Sequence, residues 1–495
     1  MLFNSFEYLL FLPITVVLYF ILPWRWRWLL LLVASYWFYA QFESGRYIPY
    51  ILATTVITYA TGYQMSKKKT QADRKPWMLA SLAFNLGLLF YFKYAKFTVD
   101  SLAWVADKAG FGLSAPELMV LWIIGISFYT FQSLSYTLDI YYGRTKHEKH
   151  FGIFALYVAF FPQLVMGPIE RSNNLLPQLK REVFVDYDRI VQGLCKIAYG
   201  FFKKMVIADR LKLYVDEVHF HADGYVEGPA ALIAAYFFAI QMYCDFSGYS
   251  DIAIGTARVM GVELMENFKK PFLAKNISDF WVRWHISATT WFMDYVFVPM
   301  GGYSPRVGKT VFNLLVVAMV TGLWHGAKWT FVIAFGIMGI LMSARVIWIM
   351  VIKKWMDGKG MSGLPKMPDW VAIILLFNTF CICTTYIRSI ERYDAQGNVE
   401  ITAIETAHTL LGKALSFSNW PSITNSNDFI QAVVTKNGQF EFMLCMIAIF
   451  LLFASYLVPF NLKLGKRSLP YLMVMVLLIY FLGYDGSTDF FYFQF

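Results

Sequence analysis

Apolar runs of membrane-crossing length recur along almost the whole chain, at roughly 6–23, 28–43, 48–65, 77–94, 118–138, 151–167, 190–208, 229–243, 311–323, 329–352, 369–387, 440–460 and 470–484. A helix needs about 20 apolar residues to cross the hydrocarbon core of a bilayer, so most of these runs predict spans. The shorter ones predict re-entrant or buried segments. A water-soluble fold is excluded on surface grounds, because with 58% of the 495 residues hydrophobic and 15% charged the polar side chains cannot cover it. Met1 to Glu7 carries no basic side chain and the first run leads straight into a second, which predicts a retained helix rather than a cleaved signal peptide.

The net charge of +10 does not point to a nucleic acid, because Lys and Arg fall in short clusters between the apolar runs. Arg25/Arg27, Lys67-Lys68-Lys69, Lys353-Lys354 and Lys463 with Lys466-Arg467 read as cytoplasmic anchors facing anionic lipid. Parity then predicts a multi-pass membrane protein with both termini on the extracytoplasmic side. Cys195, Cys244, Cys381, Cys383 and Cys445 all lie in or beside apolar runs and read as buried structural thiols, with no metal site.

No linker or fixed-period repeat divides the chain, so residues 1–495 read as one membrane domain. Its largest polar interruption, 388–437, is expected as an extracytoplasmic loop carrying short surface helices. Between about 243 and 310 the pattern breaks down: Asp245-Phe246-Ser247-Gly248-Tyr249-Ser250-Asp251 and Trp281-Val282-Arg283-Trp284-His285 are too polar to face lipid and too aromatic for a soluble loop. Broken helices folded into the membrane satisfy both constraints and place a reaction chamber here. Phe160-Phe161-Pro162 through Gly167-Pro168-Ile169-Glu170-Arg171 reads as a helix end or as part of the chamber wall.

His285 and His325 stand out as the histidines set in or beside strongly apolar helical sequence, the other five reading as loop residues or as neighbours of charge. An imidazole carried into such surroundings is desolvated and needs a hydrogen-bonding or chemical reason to be there. Around His325, Gly322 and Gly326 permit close approach of a helix or a substrate and Trp324 shields the ring from water. A base in that position suits removal of a proton from an alcohol attacking an acyl group, and a hydrogen-bonded core histidine fits the same residues. If 279–294 is helical, Trp281, His285 and Ala288 share one side and His285 belongs to a substrate-orienting wall. Asp245, crowded by Gln241, Tyr243, Ser247 and Tyr249, is a further candidate, as is Asn267. Arg258, Arg144 and Arg283 are the cations close enough in sequence to pair with the buried acids. Phosphate-loop, dinucleotide, zinc-helix and nucleophile-elbow motifs are missing from the sequence, and no paired internal repeat suggests a transporter.

Taken together, these strings resemble the membrane-bound O-acyltransferase family, in its bacterial group of alginate and peptidoglycan O-acetyltransferase membrane components and teichoic-acid D-alanylation proteins. The resemblance rests on Met1-Leu2-Phe3-Asn4-Ser5, Gly125-Ile126-Ser127-Phe128-Tyr129, Gly167-Pro168-Ile169, Asp245 to Asp251, Phe280-Trp281 to His285-Ile286-Ser287, Leu323-Trp324-His325-Gly326 and the closing Asp489 to Phe495. It implies an all-α fold, a ring of transmembrane helices around a thin chamber, with a cytoplasmic entrance for the donor and an outer funnel for the acceptor. It assigns the catalytic role to His325 and places His285 in the same chamber, with Trp324, Asp245, Tyr243, Gln241 and Asn267 as substrate-binding candidates. One departure concerns Thr385-Tyr386-Ile387-Arg388-Ser389, where alginate-type members carry an aromatic string before the arginine; Arg388 keeps the charge.

The activity this implies is transfer of an acetyl group across the membrane to an envelope polysaccharide, alginate-like or peptidoglycan. No permanently bound cofactor is expected; acetyl-CoA or an acyl-carrier thioester is the donor, the latter bringing a cytoplasmic carrier protein. An extracytoplasmic serine acetyltransferase-like partner would complete delivery. D-alanyl transfer to teichoic acid and a non-enzymatic scaffold or flippase are the alternatives.

Overall fold

A computed structural model describes residues 1–495 apart from 113–114, 117, 119–120, 223, 225, 360–366, 394–398, 422–425, 435–437, 458–467, 485, 487–489 and 492–495. Among the described residues six helices are long and apolar enough to cross a membrane: Gln71–Lys108, Gly228–Val259, Val307–His325, Trp329–Met356, Asp369–Arg388 and Gly438–Tyr456. Phe6–Ile21 and Ser468–Leu482 are apolar but shorter. The chain is thus an all-α, multi-pass membrane protein, and several helices are bent or broken by π-turns, as at Phe90–Tyr94, Phe202–Ala208 and Met293–Phe297. A two-stranded hairpin pairing Arg392–Tyr393 with Val399–Ile401 is the β structure found among the described residues.

Helix starts follow local chemistry. Ser5 and Thr70 accept hydrogen bonds from the Tyr8 and Asp73 N–H groups, and Thr402 with Glu405 forms a reciprocal capping box at the start of Ala403–Leu415. That helix lies within the predicted 388–437 loop, so this polar stretch is partly helical.

The chain forms two compact units. The first comprises Met1–Tyr199, Tyr249–Glu266 and Gly465–Leu472. Here helices Ile48–Ser66, Gln71–Leu89 and Ile126–Tyr141 pack on one another around buried polar pairs, Ser81 with Thr137 at 2.9 Å and Asn85 with Thr58 at 3.2 Å. Such bonds hold helices together where apolar contacts gain nothing over lipid. Helix Phe151–Ala159 stops short, and the turns after it are buried: Phe161 N–H donates to Ser35 Oγ, and Glu170 accepts from Asn174 Nδ2 at 2.8 Å and from the Met265 N–H. The 160–171 stretch is therefore a buried helix end.

The second unit comprises Gly200–Gly248, Asn267–Leu464 and Met473–Phe495. Helices Val307–His325 and Trp329–Ile347 form a tight hairpin, and Trp329–Ile347 packs on Asp369–Arg388. Arg388 donates to Asp216 at 2.5 Å, and Arg210 joins Glu441 at 2.8 Å to the Leu482 carbonyl.

Three expectations are corrected. The polar string Asp245–Asp251 does not break a helix: it lies inside the continuous 32-residue helix Gly228–Val259, 78% of whose apolar window is buried. Its polar groups take side-chain partners, Asp245 from Lys204, Ser247 from Lys203 and Asp251 from Lys196, so the backbone keeps its helical bonding. Lysines remote in sequence thus pair with these acids, while Arg258 and Arg283 pair with Glu263 and Asp279; Arg144 does lie 3.7 Å from Asp139. Secondly, the condition that 279–294 forms one helix is not met: the broken segment expected here divides at His285 into Ile277–Arg283 and Ile286–Phe292. Thirdly, His219 is no loop residue; it is buried in helix Asp209–Phe220 with Nδ1 2.9 Å from the Val215 carbonyl.

Candidate active site

His325 is the last residue of helix Val307–His325. Gly326 leaves the helix in an extended conformation, its N–H still bonded to the Gly322 carbonyl, and the chain re-enters a helix at Trp329. The hairpin closes because two of its residues lack a side chain: a Cβ on Gly322 would stand 2.8 Å from the Phe331 carbonyl oxygen, and one on Gly326 would stand 2.5 Å from the Phe331 ring. That closeness brings Phe335 over His325, the two rings stacked with centroids 5.0 Å apart. Trp324 is buried on the other side, 4.7 Å from His325 in an edge-on arrangement.

His285 reaches the same place from the broken segment. Asn276 caps helix Ile277–Arg283 by accepting the Asp279 N–H, and an Asp279–Arg283 ion pair closes its last turn. Trp284 is extended, and His285 takes a left-handed conformation with φ 42° and ψ 55°, costly for a residue with a Cβ. Its ring is buried against Phe246 at 4.6 Å, Trp324 at 5.7 Å and His325 at 5.5 Å. Among the described residues neither ring nitrogen has a hydrogen-bond partner. A buried imidazole left this way costs free energy that a bound polar group would return.

A pocket of about 690 Å³, counting the space where it opens to the outside, lies against His325, with His285 behind that ring rather than on the pocket wall. His325 and Asp245 line it together with Phe246, Trp281, Trp284, Phe335 and other apolar side chains. Asp245 is not free to take a ligand. Its Oδ1 accepts from Lys204 Nζ at 2.8 Å and its Oδ2 from the Phe491 N–H at 2.8 Å. Lys204 also pairs with Asp209 at 2.8 Å and lies over the Phe490 ring at 4.4 Å. Asp245 is therefore wall and fastening at once.

The remaining predicted residues divide. Tyr243 sits among the rings of Phe268, Phe272 and Trp284 at 5.7, 5.1 and 6.2 Å, behind the pocket rather than on it. Asn267 is buried behind His285, where its carbonyl groups accept the N–H groups of Ile286 and Ser287. Gln241 is buried on helix Gly228–Val259 with its Oε1 unpartnered and is not among the pocket-lining residues. The site also holds residues that sequence reasoning passed over. Phe335 and Lys204 are the chief ones; Phe335 was within reach, since a hairpin turn at Gly326 places a residue ten positions on beside His325. No cluster of three metal-ligating side chains occurs among the described residues.

Comparison with known proteins identifies the family. A sequence model of the membrane-bound O-acyltransferase family matches residues 149–387, a stretch holding both histidines, Asp245 and Asn267. A probable alginate O-acetylase of Pseudomonas putida is 40% identical over 336 residues, covering 67% of this chain and 68% of that protein. The chain belongs to the membrane-bound O-acyltransferase family. A probable alginate O-acetylase of Azotobacter vinelandii is 40% identical over 337 residues, again 67% of this chain, and the match spans 66% of that protein's length. The peptidoglycan O-acetyltransferase of Helicobacter pylori is 29% identical over 485 residues, 89% of this chain and 86% of its own.

Proposed function

We propose that this acyltransferase moves an acetyl group from a cytoplasmic thioester donor across the cytoplasmic membrane for O-acetylation of an envelope polysaccharide, alginate-like or peptidoglycan. The observation that carries this reading is a base-bearing aromatic pocket, His325 at its wall and His285 5.5 Å behind, in a chain 40% identical to probable alginate O-acetylases. In the reaction His325 accepts the proton of an attacking hydroxyl as its oxygen bonds to the thioester carbonyl carbon. The C–S bond then breaks and the leaving thiolate takes the proton back. His285 orients the donor or acceptor through its unpartnered ring nitrogens.

The apolar lining favours acetyl over D-alanyl. A D-alanyl group carries an ammonium, which would be desolvated in the pocket, where the carboxylate among the described lining residues, Asp245, is already engaged by Lys204 and the Phe491 N–H. A charged CoA is excluded by the same cost and stays at the cytoplasmic mouth, whether the donor is acetyl-CoA or a carrier-protein thioester. A ring of helices around a thin centre and extracytoplasmic termini, expected from the sequence, belong to this reading. So does an outer-side serine acetyltransferase-like partner. A scaffold or flippase gives the two imidazoles no work.

Inverted membrane vesicles supplied with radiolabelled acetyl-CoA, with and without soluble fractions, provide the test. Label reaching glycan or protein with the wild-type chain and lost with His325→Ala at equal membrane level supports the reading; label unchanged by His325→Ala defeats it.

A further inference from the structure

The segment 267–269 runs alongside 283–287 and is fastened to it. Lys269 N–H donates to the Arg283 carbonyl at 2.9 Å, Ile286 N–H to the Asn267 carbonyl at 3.0 Å, and Ser287 N–H to Asn267 Oδ1 at 3.2 Å. The last two donors belong to the first turn of helix Ile286–Phe292, where backbone N–H groups have no partner inside the helix. Ordinarily the residue before the first turn caps such a helix with a short polar side chain. Here that place is held by His285, which contributes no cap and is turned left-handed instead. Asn267, fully buried, caps this helix from a distance of 20 residues and so frees the capping position for an imidazole.

We propose that Asn267 is a positioning residue of the acyl-transfer site, holding His285 in its left-handed conformation so that the imidazole faces Phe246, Trp324 and His325, and that it does not bind substrate. Among the described residues, those with a Cβ that take positive φ are Glu43, Ser44, Lys270 and His285. Such a conformation persists only where its surroundings over-determine it. The Trp-His-Ile-Ser string contains neither Gly nor Pro to impose the break, so the restraint comes from outside it. Removing the Oδ1 acceptor leaves the Ser287 N–H buried and unsatisfied and lets 283–287 relax toward a continuous helix, which swings the imidazole away from His325.

This inference rests on the acyl-transfer reading, and the same vesicle assay separates the two. If wild-type protein transfers no acetyl group, the reading fails; if wild-type is active, the variants test Asn267. Asn267→Leu, close in volume but lacking the oxygen, is expected to lower kcat roughly 10- to 100-fold, the scale of a displaced catalytic geometry, with KM little changed. Asn267→Asp, which keeps an oxygen for the Ser287 N–H, is expected to recover most of that loss. The decisive arm is a cycle with His285→Ala: once the imidazole is gone, adding Asn267→Leu should cost nothing further. Additive losses, a rise in KM at constant kcat, or wild-type rates from Asn267→Leu would each overturn the proposal. Should the Leu variant not reach the membrane, Asn267→Ser against Asn267→Asp in the same cycle distinguishes the same outcomes.

Discussion

His325 and its neighbours show how much chemistry depends on what a ring touches. The imidazole lies between Phe335, stacked at 5.0 Å, and the edge-on Trp324, so its plane is fixed before a substrate arrives. A positioned general base contributes about 10²- to 10⁴-fold, and His325→Ala is expected to lower acetyl transfer by that order with the protein still inserted. His285→Ala should lower turnover strongly while leaving a residual rate; wild-type rates in the vesicle assay would remove His285 from the site. At this scale Trp324 and both histidines were legible because a polar ring amid apolar sequence is conspicuous. Phe335 was passed over because one phenylalanine among 46 carries no mark of its own; only the hairpin turn at Gly326 could have singled it out, by setting the residue ten positions on over the base.

The elements were legible where local pattern governs and illegible where a distant residue does. Apolar run length found the six helices that, among the described residues, are long enough to cross a membrane, because a helix satisfies its backbone within its own segment and needs no partner strand in hydrocarbon. The same reasoning failed at Asp245–Asp251, where polarity suggested a break and lysines from other helices supplied the missing partners. At His285 the broken helix expected from the sequence is found, but the place of the break is marked by no Gly or Pro, and Asn267, 20 residues away, accepts the Ser287 N–H that follows it. Two predictions belong to this scale. Gly326→Ala puts a Cβ against the Phe331 ring and is expected to destabilise the hairpin by about 1–3 kcal/mol, lowering the thermal midpoint in detergent; Phe331→Leu in the same chain should restore part of it. Persistence of the full loss in the double variant would show that the clash is not its cause. Lys204→Met leaves Asp209 and Asp245 buried without their shared cation, a loss of about 3–5 kcal/mol for breaking a buried pair. An unchanged unfolding midpoint in Lys204→Met would refute that.

For the molecule as a whole, the sequence resemblance reached the family and the aromatic site, and it could not reach the acceptor. A hydrated envelope polysaccharide would have to desolvate its hydroxyls to enter a pocket lined by tryptophan and phenylalanine. Acetyl transfer to polymer is then expected to need two steps, the first made here and the second by an extracytoplasmic protein that accepts the group on a serine oxygen and passes it on. The polar 388–437 stretch, with helix Ala403–Leu415 packed against Asp369–Arg388, is the proposed docking face for that protein. Purified chain in liposomes loaded with donor should release little acetyl to external polymer alone and should be stimulated by the partner. On that helix Lys413 holds the Val226 carbonyl and Glu405 completes the capping box, so changing either would disturb the fold as well as the surface. His408, exposed on the same helix, offers a cleaner site: His408→Glu should weaken stimulation while leaving donor-dependent labelling of the chain unchanged. Sustained acetylation of external polymer by the purified chain, with no further gain from any partner, would show that one protein does both steps.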